Sequence, residues 1–152
     1  MQASVNRGPL AVTGTLSFVS STVLNVADGY TGDLRVGDRM LGVPARTATL
    51  QASWSGSGWS TAITGARAFD WINYDRLALT AQPDEVVGVG LRDYWKPYGG
   101  AVNLRASLTR NVNPRLMVML TGNNLLNSQT GQPDNSTVVP GRTVSFGVRA
   151  AF

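Results

Sequence analysis

The sequence predicts an all-β fold, an antiparallel meander of about six strands, on three observations. Apolar residues alternate with polar or small ones through one segment after another, the period-two signature of strands with unlike faces. Charged residues are only 14% of the chain while glycine reaches 17 residues. That mixture suits strands and turns better than long surface helices, which draw on Glu, Lys and Ala. No apolar run approaches the roughly 18 to 20 residues of a membrane-crossing helix, which excludes a helical membrane protein.

Residues 1–9 read as an N-terminal stub, and residues 10–152 as the strand-bearing segment. The first strand is expected over 10–23, where Leu10, Val12, Gly14, Leu16 and Phe18 share a face. A polar loop from Asp28 to Gly42 follows, with three Asp and four Gly. The second strand, 46–54, sets Ala48, Leu50, Ala52 and Trp54 against Thr47, Thr49, Gln51 and Ser53. Ser55-Gly56-Ser57-Gly58 is a tight turn by composition, and a third strand, 59–69, begins at once. The stretch from Asp70 to Gly100 is long and rich in aromatics. A fourth strand, 101–110, sets Val102, Leu104, Ala106 and Leu108 against Asn103, Arg105, Ser107 and Thr109. Asn111 to Pro114 turns the chain into a fifth strand, 115–123, and a Gly/Asn/Pro/Asp loop leads to the last, 143–152.

The connections therefore run long, short, long, short, long. Transmembrane β-barrels have this alternation, with short turns on one side of the membrane and longer loops on the other. Trp54 and Trp59 flank one short turn, as an interfacial girdle requires, and Phe69, Trp71 and Tyr74 would mark the opposite girdle. Six strands are fewer than single-chain bacterial barrels contain, so they would belong to a larger ring. The alternative is a soluble antiparallel β-sandwich whose apolar faces meet in a core.

The closing residues carry a resemblance. Ser145, Gly147, Ala150 and Phe152 are spaced like the terminal signal by which outer-membrane barrels are assembled. Asn123, Asn124, Leu125, Leu126 and Asn127, followed by Pro140, Gly141 and Arg142, resemble the closing segment of TonB-dependent receptors of Gram-negative bacteria. The resemblance implies the C-terminal part of a transmembrane β-barrel of about 22 strands in the cell outer membrane. It implies ligand uptake as the function of the whole receptor, with this segment inactive alone for lack of plug and coupling segment. The partners it implies are the lipid bilayer and lipopolysaccharide, the barrel-assembly machinery, and the remainder of the barrel and plug. The inner-membrane energy-coupling protein would be reached only through an N-terminal part not present here. MQASVNRGPL lacks the pattern of a signal peptide, so the chain is expected to be a piece of a longer protein. Other readings of the same strands are a small autonomous or oligomeric outer-membrane barrel with a structural or adhesive role, or a soluble β-sandwich binding module.

Catalysis is not expected. Cysteine and histidine are both absent, which removes thiolate chemistry, the commonest general base and the commonest transition-metal ligand. Asp28, Asp33 and Asp38 recur every five residues, which is not the spacing of a calcium loop, and adjacent Asp84 and Glu85 need not converge. No catalytic residue, metal ligand or cofactor is assigned. The net charge of +4 comes from singly scattered basic residues without a run or stripe, which argues against nucleic acid. Tyr94, Trp95 and Tyr98 form the candidate ligand-contact loop, since such side chains give large amphipathic surface at low entropy cost.

Overall fold

The computed structural model describes residues 1–128 and 134–151. Seven strands lie side by side in one open antiparallel sheet: β1 (Gln2–Arg7), β2 (Leu10–Phe18), β3 (Arg46–Gly56), β4 (Trp59–Phe69), β7 (Asn103–Asn113), β8 (Leu116–Asn123) and β9 (Thr143–Ala150). Between β4 and β7 the chain leaves the sheet to build a two-stranded hairpin, β5 (Trp71–Tyr74) with β6 (Trp95–Tyr98). A short helix, α1 (Arg76–Thr80), and a 3-10 turn, Gly88–Tyr94, complete that excursion.

Turn chemistry fixes the register. Ser57 and Gly58 both take positive φ, 52° and 77°, so Gly56 pairs with Trp59 across a two-residue hairpin whose twist suits the flanking strands. The side-chain alternation then propagates across the sheet, interrupted by a bulge in β7 between Asn111 and Asn113. One row runs Val12, Ala52, Ile63, Ala106, Gly122, Val144, and the next runs Leu10, Trp54, Thr61, Leu108, Leu120, Phe146. The opposite face carries Ser4, Thr13, Gln51, Thr64 and Arg105 in one row.

The excursion and the loop after β2 fold together as a cap over one end of the sheet. Asp70 takes a left-handed conformation (φ 54°), places its carboxylate on Arg46, and gives its carbonyl to the Ala45 amide and to Arg39. Trp71 stacks on Tyr98 at 5.8 Å with 10° between the rings. Gly100 returns the chain to the sheet at φ 68°, where a Cβ would run into the Ala68 carbonyl and reach 3.0 Å from Trp71. Among the described residues the buried apolar side chains are Val23 and Trp71, both in the cap. The sheet has no core of its own.

A second polar knot closes the sheet near β9. Asn124, 5% exposed and left-handed at φ 47°, donates from Nδ2 to the carbonyls of Ser128 and Pro140, each at 2.8 Å. Its Oδ1 accepts from the Ser128 amide at 3.0 Å, and Asn127 Oδ1 accepts from the Arg142 amide at 3.0 Å. Asn is suited to this place because it tolerates positive φ and carries both donors and an acceptor. The Asn123–Asn127 and Pro140–Arg142 elements are therefore joined by side-chain to backbone hydrogen bonds.

This architecture corrects the fold and the function that the closing motif implied. The all-β, antiparallel character holds, but neither sheet closes: β1 and β9 are edges of the seven-stranded sheet and do not pair with each other. Their outward N–H and C=O groups are unpaired, and hydrocarbon does not tolerate such edges because nothing there replaces the missing hydrogen bonds. The segment is thus not a transmembrane barrel, and the reading as part of a TonB-dependent receptor of about 22 strands is withdrawn with its transport role. The outer-membrane location falls for the same reason. So do the partners that came with it: bilayer and lipopolysaccharide, barrel-assembly machinery, remaining barrel and plug, and inner-membrane coupling protein. Among the described residues no second sheet layer faces the seven-stranded sheet, so they do not form a β-sandwich within one chain.

Replacing Asn124 with Ala is expected to cost about 1–2 kcal/mol in urea unfolding, because the partly buried hydrogen bonds to the Ser128 and Pro140 carbonyls are lost. Asn124→Gly relieves the left-handed backbone and is expected to cost less; full stability in Asn124→Gly would mean that conformation, not hydrogen bonding, is what Asn124 supplies.

Candidate functional site

The cap gathers most of the polar chemistry. Asp33 is 5% exposed, and its Oδ2 accepts from the Tyr74 hydroxyl at 2.7 Å and from Trp95 Nε1 at 2.8 Å. Asp38 meets Arg92 in a two-pronged ion pair, with N–O distances of 2.6 and 2.7 Å. Arg92 also donates to the Asp33 carbonyl at 2.9 Å and lies 4.4 Å over the Trp95 ring. This pair ties the loop after β2 to the 3-10 turn. Around α1, Asp75 caps the helix through the Ala78 amide at 3.0 Å and binds Lys96 at 2.9 Å and Asn135 Nδ2 at 2.6 Å.

These contacts set the protonation states. Hydrogen bonding to Arg92 is the main reason the Asp38 carboxyl is pulled down to about 2. The Ala78 amide, then Lys96 and Asn135, bring Asp75 down to about 2 as well. Burial, and then the Asp33 carboxylate, push the Tyr74 hydroxyl up to about 12. Burial likewise raises Tyr98, and it would raise Asp134, but donors from Thr137 and Ser136 outweigh it and hold that carboxyl low.

The three aromatics of the candidate contact loop sit inside this network. Trp95 gives its indole N–H to Asp33, and Tyr98 stacks on Trp71 while its hydroxyl donates to the Tyr74 carbonyl at 2.8 Å. The Tyr94 carbonyl accepts the Asp75 amide at 2.7 Å. Trp71 is 2% exposed, and Tyr74 lies beneath the Arg76 guanidinium at 5.1 Å. Trp54 and Trp59 stand at the far end of the sheet, 37% and 40% exposed, with Arg110 4.7 Å over Trp59. Phe69 is flanked by Arg67 at 4.5 Å and Arg46 at 5.8 Å. In β9, Ser145 pairs with Thr121, Gly147 with Met119 and Ala150 with Leu116. Phe152 lies outside the described residues.

The five-residue spacing of Asp33 and Asp38 gives no sign of the partners they have. Their partners Tyr74, Arg92 and Trp95 stand 41 to 62 residues away, in the short strands β5 and β6 and the 3-10 turn, where no periodicity points to a contact.

Two surfaces remain open for binding. The first is the apolar face of the large sheet, where Val5, Leu50, Ile63, Val144, Phe146 and Val148 are each more than half exposed. Its edges carry Arg7, Arg46, Arg67 and Arg110, so the centre is uncharged and the rim basic. A furrow of about 310 Å³ runs beside Ala106, bordered by Ile63, Leu108, Leu120 and Val144 and by Leu125, which lies over Gly122. The second is the polar face, with a cleft of about 430 Å³ at its cap end.

Both depressed carboxyls work in the same direction with pH. Their ordinary value is 3.8 and their folded value about 2, so they add stability that is fully present above pH 3.8. That stability drains away as pH falls towards 2. Near-ultraviolet circular dichroism is expected to show the cap's aromatic signal decaying across this window. Asp38→Asn should lower stability at neutral pH and flatten the acid dependence; an unchanged acid profile would remove Asp38 from that role.

No protein-family model matches the chain, and no curated protein matches it. The likeness to TonB-dependent receptors suggested by the Asn123–Asn127 and Pro140–Arg142 elements therefore has no support from the comparisons.

Proposed function

We propose that this chain is a non-catalytic β-sheet binding module that completes its core by laying its apolar face on the same face of a second copy. The observation that carries this reading is surface area. A folded monomer of 16.1 kDa is expected to expose about 7,400 Å², whereas this chain exposes 10269 Å². The excess, about 2,800 Å², exceeds the roughly 800 Å² per partner that a specific interface buries.

The sheet supplies a surface of the right size and chemistry. Seven strands at about 4.8 Å spacing and roughly 30 Å length give a footprint of about 1,000 Å². An uncharged centre with an arginine-bearing rim and aromatic side chains matches the composition of protein interfaces. Two such faces pack about 10 Å apart in a sandwich, and a twofold axis makes one patch serve both partners. Protruding Leu50 and Phe146, 61% and 71% exposed, and the furrow by Gly122 are the complementary relief such packing uses. In this reading the sandwich is formed between chains rather than within one, leaving the polar faces and the cap outward.

Sedimentation equilibrium tests it. The wild-type chain is expected to be a dimer at micromolar concentration, and Leu50→Lys and Phe146→Lys are expected to shift it to monomer by burying a charge. Thr13→Lys, on the opposite face, should leave the dimer intact. A wild-type monomer at about 100 µM, where even weak interfaces are populated, would overturn the proposal, as would equal disruption by Thr13→Lys.

A further inference from the structure

The seven strands of the large sheet contain six arginines and not one Asp or Glu. Every acidic side chain lies outside those strands, and the four described ion pairs use Arg46, Arg76, Arg92 and Lys96. Arg105 is therefore left without a carboxylate among the described residues, although it sits at the wall of the polar-face cleft. Its Nε donates to Asn103 Oδ1 at 3.3 Å, which orients the guanidinium and spends only one of its five N–H donors.

The rest of the cleft is built of small hydrogen-bonding groups. Thr47, Thr49 and Thr64 line it together with Asn103, and they come from three adjacent strands, β3, β4 and β7. Arg67 belongs to the opposite face by register, where its guanidinium lies over the Phe69 ring and donates to the Gly99 carbonyl at 2.9 Å, so among the described residues Arg105 is the guanidinium the cleft offers. Hydroxyls and an amide beside a guanidinium match a ligand with an oxyanion at one end and hydroxyls along its body. Guanidinium binds carboxylate or phosphate through paired N–H donors, and a volume of about 430 Å³ lies within the range of small-molecule sites.

We infer that this cleft binds a small polyhydroxylated oxyanion, a sugar-sized carboxylate or phosphate. The anion sits on Arg105, and its hydroxyls meet Thr47, Thr49, Thr64 and Asn103. The site lies on the polar face, away from the proposed interface.

Amide chemical-shift titration of the full chain tests this with glucuronate, glucose 6-phosphate and glucose. Saturable binding on the order of 0.1 mM is expected for at least one of the two anions, with shifts at Thr49, Thr64, Asn103 and Arg105. The tighter of the two identifies the oxyanion as carboxylate or phosphate. Glucose should bind at least about tenfold weaker, a difference typical of one charge-assisted contact. Arg105→Gln should cost a similar factor while leaving shifts elsewhere in place. Arg149→Gln, on the same face but outside the cleft, should change nothing. Failure of both anions to saturate, equal binding of glucose, or an equal loss in Arg149→Gln would overturn the inference. The last result would point to diffuse attraction by a basic sheet.

Discussion

An uncovered apolar sheet face is the constraint on which the rest of this structure depends. Pairing across seven strands satisfies the backbone inside the sheet, but it cannot remove the side chains of Leu50, Ile63, Phe146 and Val148 from water. A single-layer sheet gains its stability only when something lies on that face, because the apolar burial that offsets chain entropy has nowhere else to come from. Among the described residues, burial of apolar side chains is confined to Val23 and Trp71 in the cap. Folding and association are therefore expected to be one process rather than two.

The cap shows what the chain can do with its own residues. Its stability rests on charge-assisted hydrogen bonds around Asp33, Asp38 and Asp75, with aromatic rings packed against arginine and against each other. Such a network rigidifies a loop cluster at the expense of tolerance, since removing one partner strands another. It also segregates charge: the acids are collected in or near the cap and the strands keep only arginine. The polar face of the sheet is basic by the same division, which is why an anion is the ligand its cleft fits.

The strands were largely legible because alternation is a local signal. The third strand runs over Trp59–Phe69, where the turn at Ser57-Gly58 and the alternation from Trp59 onward locate it. The first ends at Phe18 rather than continuing to Val23, because Val23 turns inward to the cap and bonds Asp38 and Gly37. Gln2–Arg7 pairs with β2 through the turn at Gly8, a strand with too little alternation in QASVNR to announce itself. What alternation could not say is what lies against the apolar face. Lipid, a second sheet or another chain all select the same period-two pattern, and the choice of a closed barrel followed from loop lengths and a terminal motif. The structure instead uses the Asn124 and Asn127 positions of that motif to tie a loop to the head of β9. The long aromatic stretch was equally opaque, since Trp95 reaches Asp33 in a distant loop and Tyr98 meets Trp71 across a hairpin of four-residue strands too short to announce itself.

The most direct test of the account is the melting temperature measured across a wide range of protein concentration. If the apolar face is covered by a second copy, stability is inseparable from protomer concentration, and the transition should rise by several degrees per tenfold increase. A melting temperature that stays constant from about 1 to about 100 µM, in a cooperative transition, would contradict it. The sheet would then be stable without a cover.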